Sequence, residues 1–230
     1  VMAALWWALP NAPAPKGGSL MAEIRVLGRG PVLAALALTV VGSSAMFTVF
    51  TYIAPILRDV THASTNFVTG MLVLFGIGLT LGNVWGGKSA DRSVDRTLIT
   101  SLVVLIAVLL AFSVLMQWPL PAALSILLWG AASFALVPPL QMRVMEAAKA
   151  APNLASAMNI GAFNFGNAIG AAVGGAVINA GLGYPAISLA GALMAGLGLL
   201  MVLGLGWRSR RKGSGTCAGV HLPTIVDERV

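Results

Sequence analysis

The stretch TLITSLVVLIAVLLAFSVLMQWPLPAALSILLWGAASFALVPPLQM, residues 97–142, runs for 46 residues without a charged side chain. A helix needs about 20 apolar residues to cross roughly 30 Å of hydrocarbon. The stretch therefore holds two crossings, and Gln117-Trp118-Pro119-Leu120-Pro121 near its middle supplies the tight connection between them. The same measure works outward in both directions. Gly30–Leu57 has 28 uncharged residues and Ala63–Gly87 has 25, one crossing each. Ala150–Trp207 has 58, divided by Gly181-Leu182-Gly183-Tyr184-Pro185, and so holds two more. The spacing predicts six helices at about 31–57, 66–87, 97–117, 121–145, 153–180 and 184–207. No segment alternates apolar and polar residues as barrel strands do, so the expected class is an all-α polytopic membrane protein.

Composition agrees. Of 230 residues, 58% are hydrophobic and 9% charged, and mean hydropathy is +0.90; soluble chains carry about 25% charged residues. Neither a solvated globule nor a disordered chain fits these values. The net charge of +7 would suit nucleic acid only if the basic residues gathered on one water-facing surface. Instead they follow the spans. Lys16, Arg25 and Arg29 precede the first, Lys88, Arg92 and Arg96 separate the second and third, Arg143 and Lys149 separate the fourth and fifth, and Arg208, Arg210, Arg211, Lys212 and Arg229 follow the sixth. Thirteen of the 14 basic residues thus share one side and only Arg58 takes the other. By the positive-inside rule that side is the cytoplasm, with both ends of the six-helix unit there. The lipid bilayer is the implied partner, and no nucleic acid is expected.

The ends read differently from the middle. Val1–Pro10 is apolar with Trp6 and Trp7, and no basic region opens it, so it reads as the stub of a preceding transmembrane helix, the alternative being a short interfacial anchor. Residues 11–29 read as a cytoplasmic linker, 30–207 as the six-helix domain and 208–230 as a disordered cytoplasmic tail. Cys217 is the single cysteine, which leaves no disulfide within the chain and no multi-cysteine metal site. No phosphate-binding loop, zinc motif or nucleophile elbow occurs, and His62 and His221 lie outside the spans. The expectation is a protein that is not an enzyme, with no catalytic residue, cofactor or metal.

Three groups of residues are candidates for function. In the first span Ser44, Thr48, Thr51 and Tyr52 share one face with Pro55 beyond them. Such a stripe suits a translocation path, although hydroxyls also bond back to their own helix carbonyls. Pro55 is expected to bend this helix near its outer end. In the fifth span Gly166, Gly170 and Gly174 fall within about 80° of arc at 100° per residue, a small-residue side that lets another backbone approach. Asn159 and Asn167 lie on or beside that side and Asn164 farther round. Amides facing lipid are costly, so these three are expected to face protein or a wet cavity, as interhelical contacts or as substrate contacts. Third, Arg143 and Glu146 stand three apart and could pair on one helix face.

The loop Gly82-Asn83-Val84-Trp85-Gly86-Gly87-Lys88-Ser89-Ala90-Asp91-Arg92-Ser93-Val94-Asp95-Arg96 resembles the signature loop of the major facilitator superfamily through Gly87, Asp91, Arg92 and Arg96; Val94 stands where the turn glycine is usual. Residues 159–175, with Pro138-Pro139-Leu140-Gln141-Met142-Arg143 before and Gly181-Leu182-Gly183-Tyr184 after, resemble the eleventh-helix region of arabinose-efflux and drug:proton antiporter permeases. The resemblance spans about 1–207. It implies the C-terminal six-helix half of a secondary transporter in a bacterial inner membrane. Such a protein would move sugars or small drug-like molecules by alternating access, coupled to protons, with a missing N-terminal half or a second copy completing it. It also implies that the Asp91 loop is a conformational latch between helices, whereas the charges alone could equally serve to fix topology. The alternative readings are a truncated, non-transporting membrane protein or a half-transporter working as a dimer.

Overall fold

The computed structural model describes residues 25–214. The expected stub over 1–10, most of the linker and the tail from 215 onward lie outside the described residues. Among the described residues eight helices of more than one turn follow in chain order: α1 (Gly30–Phe50), α2 (Ile53–Asp59), α3 (Thr65–Ala90), α4 (Val94–Leu115), α5 (Pro119–Phe134), α6 (Val137–Ala147), α7 (Pro152–Asn179) and α8 (Tyr184–Ser214). No strand occurs among the described residues. Six helices are long and apolar enough to cross a membrane, with α1 and α2 forming the first and α5 and α6 the fourth. The all-α, six-span class expected from the charge gaps is the one found.

Both divided spans are broken by proline. Pro55 has no N–H for the Thr51 carbonyl four residues back, and its ring crowds that carbonyl. The chain accordingly leaves α1 at Thr51–Tyr52, where the Tyr52 N–H turns to the Val49 oxygen at 3.0 Å. Pro138 and Pro139 withhold the same bonds from Phe134 and Ala135, and α5 gives way to α6 at Ala135–Leu136. The second break was not expected; residues 121–145 read as one uninterrupted helix. Ser64 and Ser93 cap α3 and α4 by accepting from the N–H groups of Phe67 and Arg96. The turn into α8 places Gly181 and Gly183 at φ of +72° and +77°, a conformation glycine adopts without steric cost.

The helices divide into two units of three spans, one holding α1/α2, α3 and α4, the other α5/α6, α7 and α8. Packing is mainly between units. The first span of each lies against the second span of the other, α1 on α7 and α5 on α3, and the third spans α4 and α8 pack together. Exchanging the units reproduces the pattern, down to the proline break in each first span. Because α1 and α5 run in opposite directions, the implied pseudo-two-fold axis lies in the membrane plane. Leu98, Leu102, Leu105 and Leu109 of α4, Ile126 and Trp129 of α5 and Ile187 of α8 fill the core where the units meet. A smaller cluster of Val26, Val32, Ala35 and Leu36 with Val144, Ala148 and Ala155 closes the basic end. Burial is least along α3 and α7, 17% of each apolar window against 61% for the first span, so these two helices keep the broadest uncovered faces.

Candidate functional site

The seam between α1 and α7 is where most of the candidate residues meet. Gly166, Gly170 and Gly174 are buried against α1. A methyl group at Gly170 would lie 2.5 Å from the Ser44 carbonyl oxygen and 2.8 Å from the Thr48 nitrogen; at Gly174 it would lie 2.8 Å from the Thr48 oxygen, and at Gly166 it would collide with Ser43 Oγ and the Val40 carbonyl. Only glycine lets the two backbones come this close. The α1 hydroxyls fill the same seam. Ser44 Oγ lies 2.7 Å from the Val40 oxygen and 2.9 Å from the Gly166 oxygen across the seam, so one proton serves two carbonyls. Thr48 donates to the Ser44 oxygen at 2.7 Å, and Tyr52 Oη donates to the Ala171 oxygen at 2.9 Å. Ser44 and Thr48 are buried and Tyr52 half-buried. Thr51 alone of the stripe is exposed, donating to its own helix at the Phe47 oxygen, 2.9 Å away. The stripe thus splits: Ser44 and Tyr52 bond to α7, Thr48 lies buried in the seam with its hydroxyl on its own helix, and Thr51 faces out.

The three asparagines part company in the same way. Asn159 is buried in a directional chain of side-chain hydrogen bonds. Thr39 Oγ1 donates to Asn159 Oδ1 at 2.7 Å, Asn159 Nδ2 to Gln141 Oε1 at 2.5 Å, and Gln141 Nε2 to Ser156 Oγ at 2.9 Å. This chain ties α1, α6 and α7 together near the basic end. Asn164 is exposed, and its Nδ2 donates to the Ile160 oxygen one turn back. Asn167 is half-buried, with a buried Oδ1 that receives no hydrogen bond. Asn83 of α3 is likewise an exposed amide set back from the ends of its helix, whereas the exposed Asn66, Asn153 and Asn179 stand at the ends of α3 and α7.

The loop residues form a tight connection between α3 and α4. Asp91 closes α3, its N–H bonding to the Gly87 oxygen at 3.1 Å, and its side chain, like those of Arg92 and Arg96, is exposed. Gly87 has open space around its Cα. A single ion pair forms among the described residues, between Arg143 of α6 and Asp95 in the first turn of α4. Arg143 therefore pairs across helices and not with Glu146, which is exposed on α6. Local spacing made Glu146 the visible partner, whereas Asp95 stands 48 residues away and only the fold delivers it.

Two arrangements escaped the sequence reading. Gly78, Gly82 and Gly86 of α3 lie against α5 much as the α7 glycines lie against α1; a methyl group at Gly86 would stand 2.5 Å from the Ala135 oxygen, and one at Gly82 would collide with the Ala131 carbonyl. Their four-residue spacing was legible. Phe163, Phe47, Phe50, Phe75, Trp129 and Phe134, drawn from α7, α1, α3 and α5, form a continuous run of ring contacts with centroids 4.8–6.4 Å apart. Apart from Phe47 and Phe50, nothing in the linear order brings them together. A groove of about 850 Å³ between α4 and α8 is lined by Ile106, Leu110, Leu189, Leu193, Leu197 and similar apolar side chains, so it offers a polar solute no partner.

Proline-broken first spans, glycine seams that cross between units and an inverted pairing of spans define a polytopic helical bundle built from two interlocked three-span units. The pattern shared by the Major Facilitator Superfamily matches residues 36–218, and the chain belongs to that family of transporters. It is 53% identical over 201 residues to the inner membrane transport protein YdhP of Escherichia coli (strain K12), a match covering 87% of this chain and 52% of that protein. It is 35% identical over 194 residues to the uncharacterized MFS-type transporter YfhI of Bacillus subtilis (strain 168), covering 84% and 49%. Over 208 residues it is 31% identical to a probable sugar efflux transporter of Helicobacter pylori (strain J99 / ATCC 700824), covering 90% and 51%. The chain spans about half the length of these relatives.

Proposed function

We propose that this chain is the C-terminal half of a proton-coupled efflux transporter of the bacterial inner membrane, moving sugars or small drug-like molecules by alternating access. Both ends of its six-helix unit face the cytoplasm in this reading. The observation that carries it is the pair of exposed amides Asn83 and Asn164, each set back from the ends of one of the two least covered helices. Amides turned to hydrocarbon are costly, so these faces suit a wet path shared with another six-helix half. Thr51, Asn164 and Asn167 are the residues assigned to that path. Ser44, Tyr52 and Asn159 shape it indirectly by bonding α1 and α6 to α7, Thr48 lies buried in the same seam, and the three α7 glycines permit that contact.

The exposed Asp91, with Arg92 and Arg96 beside it, is assigned as a latch whose partner lies in the other half. A carboxylate placed there can meet a helix N-terminus, where exposed N–H groups favour negative charge, in one state and part from it in the other. The test is reconstitution in vesicles under a pH gradient. The 230-residue chain alone is expected to show no proton-driven efflux. Joined to a matching first half it should show efflux, and Asp91→Asn should slow that efflux without reducing insertion. Robust transport by the purified short chain would move the reading to a homodimeric half-transporter.

A further inference from the structure

We infer that the aromatic run forms a mid-membrane binding surface for a planar aromatic solute carrying few hydrogen-bonding groups, in preference to a sugar. This rests on the reading of the chain as half of a transporter. Each of the six rings lies at least nine residues from either end of its span, about 13 Å of helix at 1.5 Å per residue. Phe75 and Trp129 are buried, while Phe47, Phe50, Phe134 and Phe163 are half-buried. The run therefore begins in the core and emerges on α1 and α7. Phe47 and Phe163 meet edge to face there, with centroids 6.1 Å apart and planes at 87°. Ring faces and edges in that disposition accept a further ring at little cost, since aromatic pairs favour offset and edge-to-face contact.

The polar groups nearby decide the class of ligand. Phe163 and Asn167 are four residues apart on α7 and so are neighbours on one helix face. The Asn167 Oδ1 is buried and accepts nothing, so a ligand's donor meets it only when the amide turns outward. Asn164 Nδ2 and the Thr51 hydroxyl already donate to carbonyls of their own helices. The Trp129 Nε1 is buried without an acceptor, and its ring lies tilted at 46° to that of Phe75 with centroids 4.8 Å apart. A sugar brings several hydroxyls that each need a partner, and leaving them dry is costly. This surface offers few partners and no charged side chain at its depth, but it offers ring contact in abundance.

The test uses the chain joined to a matching first half, in vesicles under a pH gradient, with ethidium and radiolabelled arabinose as alternative probes. Ethidium should be moved in preference to arabinose. Phe47→Leu and Phe163→Leu should each raise the half-saturating ethidium concentration about two- to tenfold, while Phe165→Leu, at an exposed ring outside the run, stays near the parent. Should a leucine variant fail to accumulate, Phe47→Met serves in its place, because it retains volume and loses the ring. Movement of arabinose without ethidium, or ethidium transport indifferent to these substitutions, overturns the inference and leaves the transporter reading standing. If neither probe moves in the parent, the transporter reading falls and this inference goes with it.

Discussion

Asn159 and Asn164 stand five residues apart on one helix, yet the fold gives them opposite surroundings. Asn159 is 6% exposed and both ends of its amide are engaged. Asn159→Ala leaves the half-buried Gln141 Oε1 without its donor and Thr39 Oγ1 with only the Ala35 oxygen, 3.3 Å away, at a cost of about 1–3 kcal/mol. Its thermal midpoint in detergent should fall clearly below that of the parent, while Asn164→Ala should leave it unchanged. Equal effects would mean that the amide chain contributes nothing. Along α1 the contrast is one of access: Thr51→Cys should react with a small water-soluble thiol reagent, and Thr48→Cys and Val49→Cys should be protected, since both positions are buried. Residue roles of this kind were only half legible in the sequence. The hydroxyl stripe was visible as a face, but a face does not say what covers it. Thr39 and Asn159 are 120 residues apart, and no local pattern joins them.

At the scale of the helix, the two glycine triplets make the sharpest claims. Gly170→Leu and Gly82→Leu each force a side chain into an opposing backbone, and overpacking of this kind costs about 1–3 kcal/mol or more. Both variants should accumulate poorly or melt early. Gly161→Ala is the control on α7, because a methyl group there meets nothing within 4 Å; its stability should match the parent. If Gly170→Leu is as stable as Gly161→Ala, α7 does not lie on α1 as described. The number of spans was readable because charge is excluded from hydrocarbon, so gaps between charges measure helices directly. The break at Ala135–Leu136 is written in Pro138-Pro139, but an apolar run long enough for one span gives no reason to divide it. The α3 triplet repeats the α7 spacing, but without a partner helix in view a row of glycines has several meanings.

Across the whole molecule, the alternation of basic and non-basic connections makes a single prediction about sidedness. Reporter fusions after Lys88 and Lys149 should report one side of the membrane, and fusions near His62, Pro119 and Gly183 the other. One consistent inversion among them would remove a span from the count. The inverted pairing of the two units also bears on how the protein is made. Ser44 and the Gly166 carbonyl that it meets are separated by 122 residues, which a ribosome adds in roughly 6–24 s at 5–20 residues per second. Throughout that interval α1 stands in the membrane with its hydroxyls turned to whatever surrounds it. The α3 glycines wait a shorter time, because α5 emerges soon after them. The seams therefore close from the inside outward, α3 on α5 first and α1 on α7 later, and the nascent first span depends on shelter from the insertion machinery or from neighbouring helices until its partner arrives.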